Sequence, residues 1–329
     1  MSAIPLSVVT GFLGSGKTTL VAALLRRPEL ADTAVIVNEF GTVGLDHLLV
    51  KEVLDEGVVL LSSGCLCCTV RGALAEALRD LYLKRVQGSI PEFRRVLVET
   101  SGLADPAPVV HTLMRDPMAG AYYRLDGIVA CVDTLFGADQ LERHPESLRQ
   151  VALADRLVVT KTDLAPFGRK ERLAARLSEI NPAAPVLVAD HGDVDPAAIL
   201  EAGLFGPASP VPDLKRWLNP GAYGAARHTD GIASFCLTLD RPVDWTAFSA
   251  WMNDLLAVHG EKVLRIKGML RVVGEDRPFA IHGINHLFHP PQPLPPEAGL
   301  AQSTLVFIVQ GLAREAVENS LRISLAAAR

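Results

Sequence analysis

The sequence predicts an α/β protein. Its first domain is built around a phosphate-binding loop on a mostly parallel sheet, and a smaller α+β domain follows. Three observations predict this. Short β-branched runs alternate with amphipathic stretches through the first two hundred residues. A glycine-rich string ending in Lys-Thr follows the first of those runs. A proline-rich break, Gly206-Pro207-Ala208-Ser209-Pro210-Val211-Pro212, precedes a change of pattern. A length of 329 residues agrees with about two domains. The boundaries predicted are 1–206, a linker over 207–230, and 231–329.

The apolar runs at 6–9, 34–37, 58–61, 96–98, 128–132, 157–159 and 186–188 read as strands. A helix is expected from Thr18 to Arg26 and another from about Val70. Asp105-Pro106 supplies a cap and a first-turn proline for a helix ending at Met114. Residues 169–180 carry apolar residues at helical spacing, and Asn181-Pro182 closes them. Beyond the break, 232–239 reads as a strand. Trp245, Phe248, Trp251, Met252 and Leu255 fall on one helical face behind Asp244 as N-cap. Strands are expected at 262–273, 278–284 and 304–309, a proline loop at 290–296, and a last helix at 314–328.

Composition excludes several classes. Hydrophobic residues at 49% and charged residues at 21% rule out a disordered or collagen-like chain. A net charge of −5 argues against a broad nucleic-acid surface. No run approaches the ~18 apolar residues of a membrane span, and the N-terminus lacks a basic leader pattern. The expectation is a cytoplasmic protein with neither nucleic acid nor membrane as partner. Five cysteines are too few for a disulfide scaffold, and three of them share one four-residue window.

Gly11-Phe12-Leu13-Gly14-Ser15-Gly16-Lys17-Thr18 matches G-x-x-x-x-G-K-[ST] without a gap. Glycines let backbone N–H groups curl round phosphate oxygens, and the following helix N-terminus favours an anion. Lys17 is placed for the β- and γ-phosphates and Thr18 for Mg²⁺. The metal's second oxygen is expected from Glu99, at the end of the run 94–98; a helix-capping acid is the competing reading. Glu99-Thr100-Ser101-Gly102 then offers the Gly102 N–H to a γ-phosphate.

Thr160-Lys161-Thr162-Asp163 follows the sixth run. One carboxylate can accept both N1–H and the 2-amino group of guanine, so Asp163 is the candidate base reader, with the Lys161 stem on the purine face. An ordinary strand-to-loop turn is the alternative.

Ser63-Gly64-Cys65-Leu66-Cys67-Cys68-Thr69 lies between a strand and a helix. Thiolates are soft ligands for Zn²⁺ and Cu(I), and a helix N-terminus lowers thiol pKa. Three sulfurs leave a tetrahedral position open, which suits transfer. Inert buried cysteines and a redox switch are the competing readings. Cys131 and Cys236 fall in apolar runs and read as buried small hydrophobes.

Taken together, GFLGSGKTT, VNEFGTVGLD, GCLCC, ETSGLADP and TKTD resemble the CobW family of P-loop GTPases, a group of metallochaperones. KVLRIKGML and STLVFIV resemble its C-terminal domain, and the length and spacing resemble the YjiA-like branch. The resemblance implies a P-loop GTPase domain whose GTP hydrolysis is coupled to delivery of Zn²⁺ or Co²⁺ to a client metalloprotein; turnover is expected to be slow, since no arginine finger is obvious in the sequence. Carried over, it implies Gly11, Gly14, Ser15, Gly16, Lys17, Thr18, Thr19, Gly102, Lys161 and Asp163 at the nucleotide, with Thr18 and Glu99 at Mg²⁺. It implies Cys65, Cys67 and Cys68 at the transition metal. Glu39, in the switch-like Asn38-Glu39-Phe40-Gly41, is a candidate for the Mg²⁺ shell or the attacking water and joins Lys17 and Glu99 as a catalytic candidate. Two departures stand out. Thr42 replaces an acid common after NEFG, and Thr160 replaces the usual Asn of the base motif, removing one amide contact. A P-loop kinase or ATPase of another class, and a non-catalytic zinc sensor, are the rival readings. His282, His286 and His289 are a minor candidate for an auxiliary metal site.

Overall fold

All seven early apolar runs become strands of one parallel sheet. The structure, a computed structural model, describes residues 3–37, 60–62, 70–200, 217–223, 227–229, 231–296 and 301–327. Two compact units result, Met1–Leu177 with Ala184–Gly203, and Ser178–Ala183 with Leu204–Arg329. No described helix is long and apolar enough to cross a membrane.

In the first unit the strands are β1 (Ile4–Gly11), β2 (Thr33–Val37), β3 (Leu60–Ser62), β4 (Arg95–Glu99), β5 (Tyr123–Asp133), β6 (Arg156–Thr160) and β7 (Val186–Val188). They order as β3-β2-β4-β1-β5-β6-β7, and each pairing is parallel. The helices between them are α1 (Lys17–Leu25), α2 (Val70–Val86), α3 (Ala107–Arg115), α4 (Pro117–Tyr122), α5 (Gly137–Arg143), α6 (Pro145–Leu153) and α7 (Arg169–Ile180), and α8 (Pro196–Leu200) follows β7. Strands sandwiched in this way read as near-continuous apolar runs, which is why they were visible in the sequence. Chain order reverses direction around β1, so the crevice at its C-terminal end is where a ligand binds in such sheets.

The helix after β1 is held by its inner face. Leu20, Val21, Leu24 and Leu25 pack with Val9, Val35, Leu97 and Val129 in one core cluster. Each such buried side chain contributes about 1.5–3 kcal/mol, which fixes the loop in front of the helix. The helix expected at Asp105-Pro106 begins one residue later, at Ala107. Asp105 still performs the capping task, because its carboxylate accepts from the Ala107 N–H at 2.8 Å.

The second unit is an antiparallel sheet with two long helices. Its strands are β8 (Arg227–Thr229), β9 (Ile232–Leu239), β10 (Val263–Leu270), β11 (Phe279–Ile284), β12 (Leu287–Phe288), β13 (Gln292–Pro293) and β14 (Ser303–Gln310). The order is β12-β11-β10-β14-β9-β8, with β13 on β11. Helices α9 (Trp245–His259) and α10 (Arg314–Ala327) accompany it. Asp244 caps α9 as expected, accepting from the Ala247 N–H. Phe235, Phe248, Trp251, Met252 and Phe307 form its core, so the aromatic stripe of α9 is packing.

Two details differ from expectation. The segment 207–230, read as a linker, contributes β8 to the second sheet. Its Leu218 is also buried, with Met269, Ala280, Leu294 and Val306. Gly, Pro and Ala around these few residues hid them from a pattern search. The proline loop likewise contains a two-residue strand that pairs with β11.

Candidate functional site

The P-loop leaves β1 at Gly11 and turns into α1 through Gly16, whose φ of 87° only glycine adopts freely at a helix cap. Ser15 and Lys17 are buried within it. The Lys17 ammonium donates to the Phe12 carbonyl at 3.0 Å, folding the side chain back over its own loop. The buried Ser15 hydroxyl has no hydrogen-bond partner among the described residues. A buried polar atom of that kind costs about 1–3 kcal/mol and marks a place shaped for a polar ligand.

Glu99 ends β4 beside it. The Thr18 hydroxyl donates to Glu99 Oε1 at 2.6 Å, and Glu99 is only 4% exposed. The reading of Glu99 as a helix-capping acid is therefore not what the geometry gives. The carboxylate faces the P-loop threonine. A hydroxyl and a carboxylate in contact are hard oxygen donors of the kind Mg²⁺ takes. Thr100 continues the seam, donating from its N–H to the Val9 carbonyl and from its hydroxyl to Thr10 Oγ1. Gly102 then passes against the P-loop. A Cβ there would fall 2.6–2.8 Å from Leu13 atoms, so only glycine allows the approach.

Sheet register aligns these segments. Val9 pairs with Glu99, Glu99 with Val37, and Val37 with Ser62. The chain thus leaves four neighbouring strands at one level. It continues from them as the P-loop, the Glu99–Gly102 segment, Asn38-Glu39-Phe40-Gly41 and the window of Cys65, Cys67 and Cys68. Three strand spacings separate the outer two exits, about 14 Å. Glu39, Thr42, Cys65, Cys67 and Cys68 themselves lie outside the described residues.

The base motif sits on the other side of β1, after β6. Thr160 is buried, and its hydroxyl donates to the Ser15 carbonyl at 2.8 Å. The missing asparagine amide is thus replaced by a hydroxyl that ties the base segment to the P-loop. Lys161 has φ of 56° and its ammonium lies 2.7 Å from Asp133 Oδ2. Asp133 is buried at the end of β5 and also accepts from the Leu135 N–H at 2.6 Å. The Lys161 stem is therefore held in one direction. Asp163 is exposed, with its carboxylate towards His191.

Sequence reasoning missed three residues here. Asp133 fixes Lys161. Gln150 on α6 is 1% exposed and donates from its amide to the carbonyls of Gly102 and Ala104, at 3.1 and 3.0 Å. His144, at the start of α6, stacks on Phe12 of the P-loop with centroids 4.5 Å apart. One helix thus braces both the P-loop and the segment after Glu99. Nothing local marks Gln150 or His144 for this, since their partners lie far away in sequence.

Cys131, Cys236, His282, His286 and His289 are structural in their setting. Cys131 is in the core of the first unit, and burial pushes its thiol up to about 12. Cys236 departs from the buried reading, because it is only partly covered; burial nonetheless raises its pKa. His282 and His289 stack face to face at 3.5 Å. Ligating lone pairs lie in the ring plane, so parallel rings do not aim at a shared ion. His286 is elsewhere, bonded to the Leu256 carbonyl of α9. The three do not form one metal site.

Comparison with known proteins agrees with this architecture. The profile of the CobW/HypB/UreG nucleotide-binding domain matches residues 5–188. That of the cobalamin synthesis protein CobW C-terminal domain matches residues 232–325. The zinc chaperone YjiA of Escherichia coli is 35% identical over 308 residues, covering 94% of each chain. The zinc chaperone CobW of Pseudomonas aeruginosa is 30% identical, covering 99% of this chain and 92% of its own. The crystal structure of the Zn(II)-bound YjiA GTPase from E. coli superposes with a TM-score of 0.71 at 30% identity, over the whole of both chains.

Proposed function

The chain belongs to the CobW/HypB/UreG family, and from that premise we propose that it is a GTP-hydrolysing metallochaperone. It binds a transition metal, Zn²⁺ before Co²⁺, through Cys65, Cys67 and Cys68. It releases that cargo to a client metalloprotein according to its nucleotide state. Residues 1–206 form the GTPase domain and 231–329 the C-terminal domain in this reading. The relatives named as zinc chaperones and as a Zn(II)-bound GTPase support it.

The chemistry follows from the site. Gly11, Gly14, Ser15 and Gly16 give backbone N–H groups, and Ser15 its buried hydroxyl, to the phosphates. Lys17 swings from the Phe12 carbonyl to the β- and γ-phosphates, where its charge stabilises the transition state. Thr18 and Glu99 would hold Mg²⁺, which would supply charge neutralisation at the transferred phosphate. Thr19 follows in the same anion-binding first turn of α1. Glu39 orients the attacking water, and Gly102 offers its N–H to the γ-phosphate. Water adds to the γ-phosphorus as the bond to the β-bridging oxygen breaks, giving GDP and phosphate. Asp163 takes N1–H and the 2-amino group of guanine, and Lys161 covers the ring.

The observation that carries the coupling is the row Val9–Glu99–Val37–Ser62. Segments that respond to the γ-phosphate and the segment that bears the thiols leave adjacent strands at one level. Coupling of that kind is reciprocal: a nucleotide that tightens metal must itself be tightened by metal. Calorimetric Zn²⁺ titration in the presence of a non-hydrolysable GTP analogue, and again with GDP, measures it. We expect about tenfold or more between the two states, within the usual range of such couplings. Equal affinities in both states sink the coupling. Unchanged zinc stoichiometry in a variant with Cys65, Cys67 and Cys68 all changed to Ala moves the cargo site elsewhere. ATP competing as well as GTP removes the guanine selection assigned to Asp163 and Lys161.

A further inference from the structure

The loop after β7 reaches the base motif. Ala189 donates to the Val159 carbonyl, continuing the β6–β7 pairing by one residue. Asp190 and Asp193 then exchange backbone hydrogen bonds at 3.1 and 2.7 Å. His191 and Gly192 between them have φ of 50° and 84°, the signature of a type I′ turn. This tight turn presents the imidazole to Asp163. His191 Nε2 lies 3.8 Å from Asp163 Oδ2, and Nδ1 lies 2.7 Å from Asp190 Oδ1. One ligating atom from each of the three side chains falls within 4.8 Å of the others.

Guanine sets an acceptor, O6, beside the donor N1–H on the same edge. Asp163 can serve N1–H and the 2-amino group but has nothing to give O6. We propose that His191 is a specificity-determining residue of the base site, donating its Nε2–H to O6 of the guanine that Asp163 holds. Adenine carries an amino donor where guanine has O6, so the same N–H repels it, and guanine selection then rests on two residues. The inference depends on the guanine reading of Asp163.

The tautomer makes it sharper. A carboxylate only accepts, so Nδ1 carries a proton towards Asp190. Nε2 therefore has a proton to donate only when the ring is an imidazolium. The charged groups around it are Asp190 on its own turn, Asp163 from the loop after β6, and Asp193, paired with Arg27 of the segment just after α1. Lys161 is held against Asp133. The hydrogen bond to Asp190 and the charges of Asp163 and Asp190 raise the His191 pKa above its ordinary value. The contribution of His191 to guanine affinity is thus complete below that pKa and is lost as pH rises through it.

The test is nucleotide binding by the full chain and by His191→Gly, a substitution that a type I′ turn accepts. The probes are GDP, IDP and ADP at about pH 6.5 and about pH 8.5. We expect the variant to lose roughly ten- to a hundredfold for GDP and IDP at the lower pH, the range of a hydrogen bond from a charged donor. ADP should bind the variant as well as or better than the full chain, and the gap for GDP should narrow at the higher pH. The pH response of the phosphates is common to both proteins and cancels in the ratio. Equal GDP affinity of the two proteins at the lower pH overturns the proposal, as does a loss that is the same at both pH values. Should the glycine variant not fold by circular dichroism, His191→Asn serves, since Asn tolerates positive φ. Asp163→Asn tests the underlying reading separately. Exchange of GDP for XDP upholds guanine recognition by Asp163 whatever His191 does, and failure to exchange defeats that recognition alone.

Discussion

At the phosphate end of the site, Ser15, Lys17 and Glu99 are each less than a tenth exposed, whereas at the base end Asp163 and His191 stand in solvent. The phosphate end is also braced from several sides: by β4 through Glu99, by β6 through Thr160, and by α6 through His144 and Gln150. The base end rests on one tight turn and one exposed loop. On the proposed function, the difference follows from the work each end would do. Stabilising charge that develops in a transition state requires fixed dipoles out of water, where they act strongly. Choosing one base over another requires only a pattern of donors and acceptors, which solvent weakens without erasing.

Three substitutions would break or sharpen that contrast. Lys17→Ala should have the largest effect, lowering turnover by about 10²–10³, as loss of one transition-state donor does. Phosphate release under single-turnover conditions measures it, and a loss below tenfold would show that the buried end is not where catalysis is concentrated. Gln150→Leu comes next. It strips the Gly102 and Ala104 carbonyls of a buried donor, which costs about 1–3 kcal/mol in stability. Turnover should fall several-fold while GDP affinity is unchanged. Thermal melts beside GDP titration check both halves, and an equal loss of GDP affinity would make Gln150 a general packing residue. Arg27→Ala should matter least. Its pair with Asp193 is exposed at both partners, so the cost is about 0–1 kcal/mol. A melting shift above about 3 °C would show that the His191 turn is held far more firmly than an exposed pair allows.

The parallel sheet was legible because burial on both faces writes strands as unbroken apolar runs. Residues 169–180 and Asp244 were legible because helix ends carry local chemistry. The P-loop pattern was legible for the same reason: a string of neighbours carries it. What stayed hidden was long-range. Gln150 meets Gly102 across 48 residues, Thr160 meets Ser15 across 145, and Lys161 meets Asp133 across 28. Each of these is an ordinary polar residue until the fold sets it beside its partner. His191 in particular reads as one residue of a turn. Its link to Asp163 exists only because β7 pairs with β6. Strand β8 was hidden for the opposite reason, since three residues between glycines and alanines carry no period of their own.

The core position of Cys131 has a practical consequence for chemical labelling. A thiol buried beneath α1 with its pKa pushed up to about 12 is neither reached by an alkylating reagent nor ionised at neutral pH. It drops out of any thiol count on the folded protein, and the partly covered Cys236 is the single background signal beside the window of three. Mass-resolved alkylation with and without zinc would therefore test, one sulfur at a time, whether zinc protects Cys65, Cys67 and Cys68. It would do so on the unmodified chain and under whichever nucleotide is present.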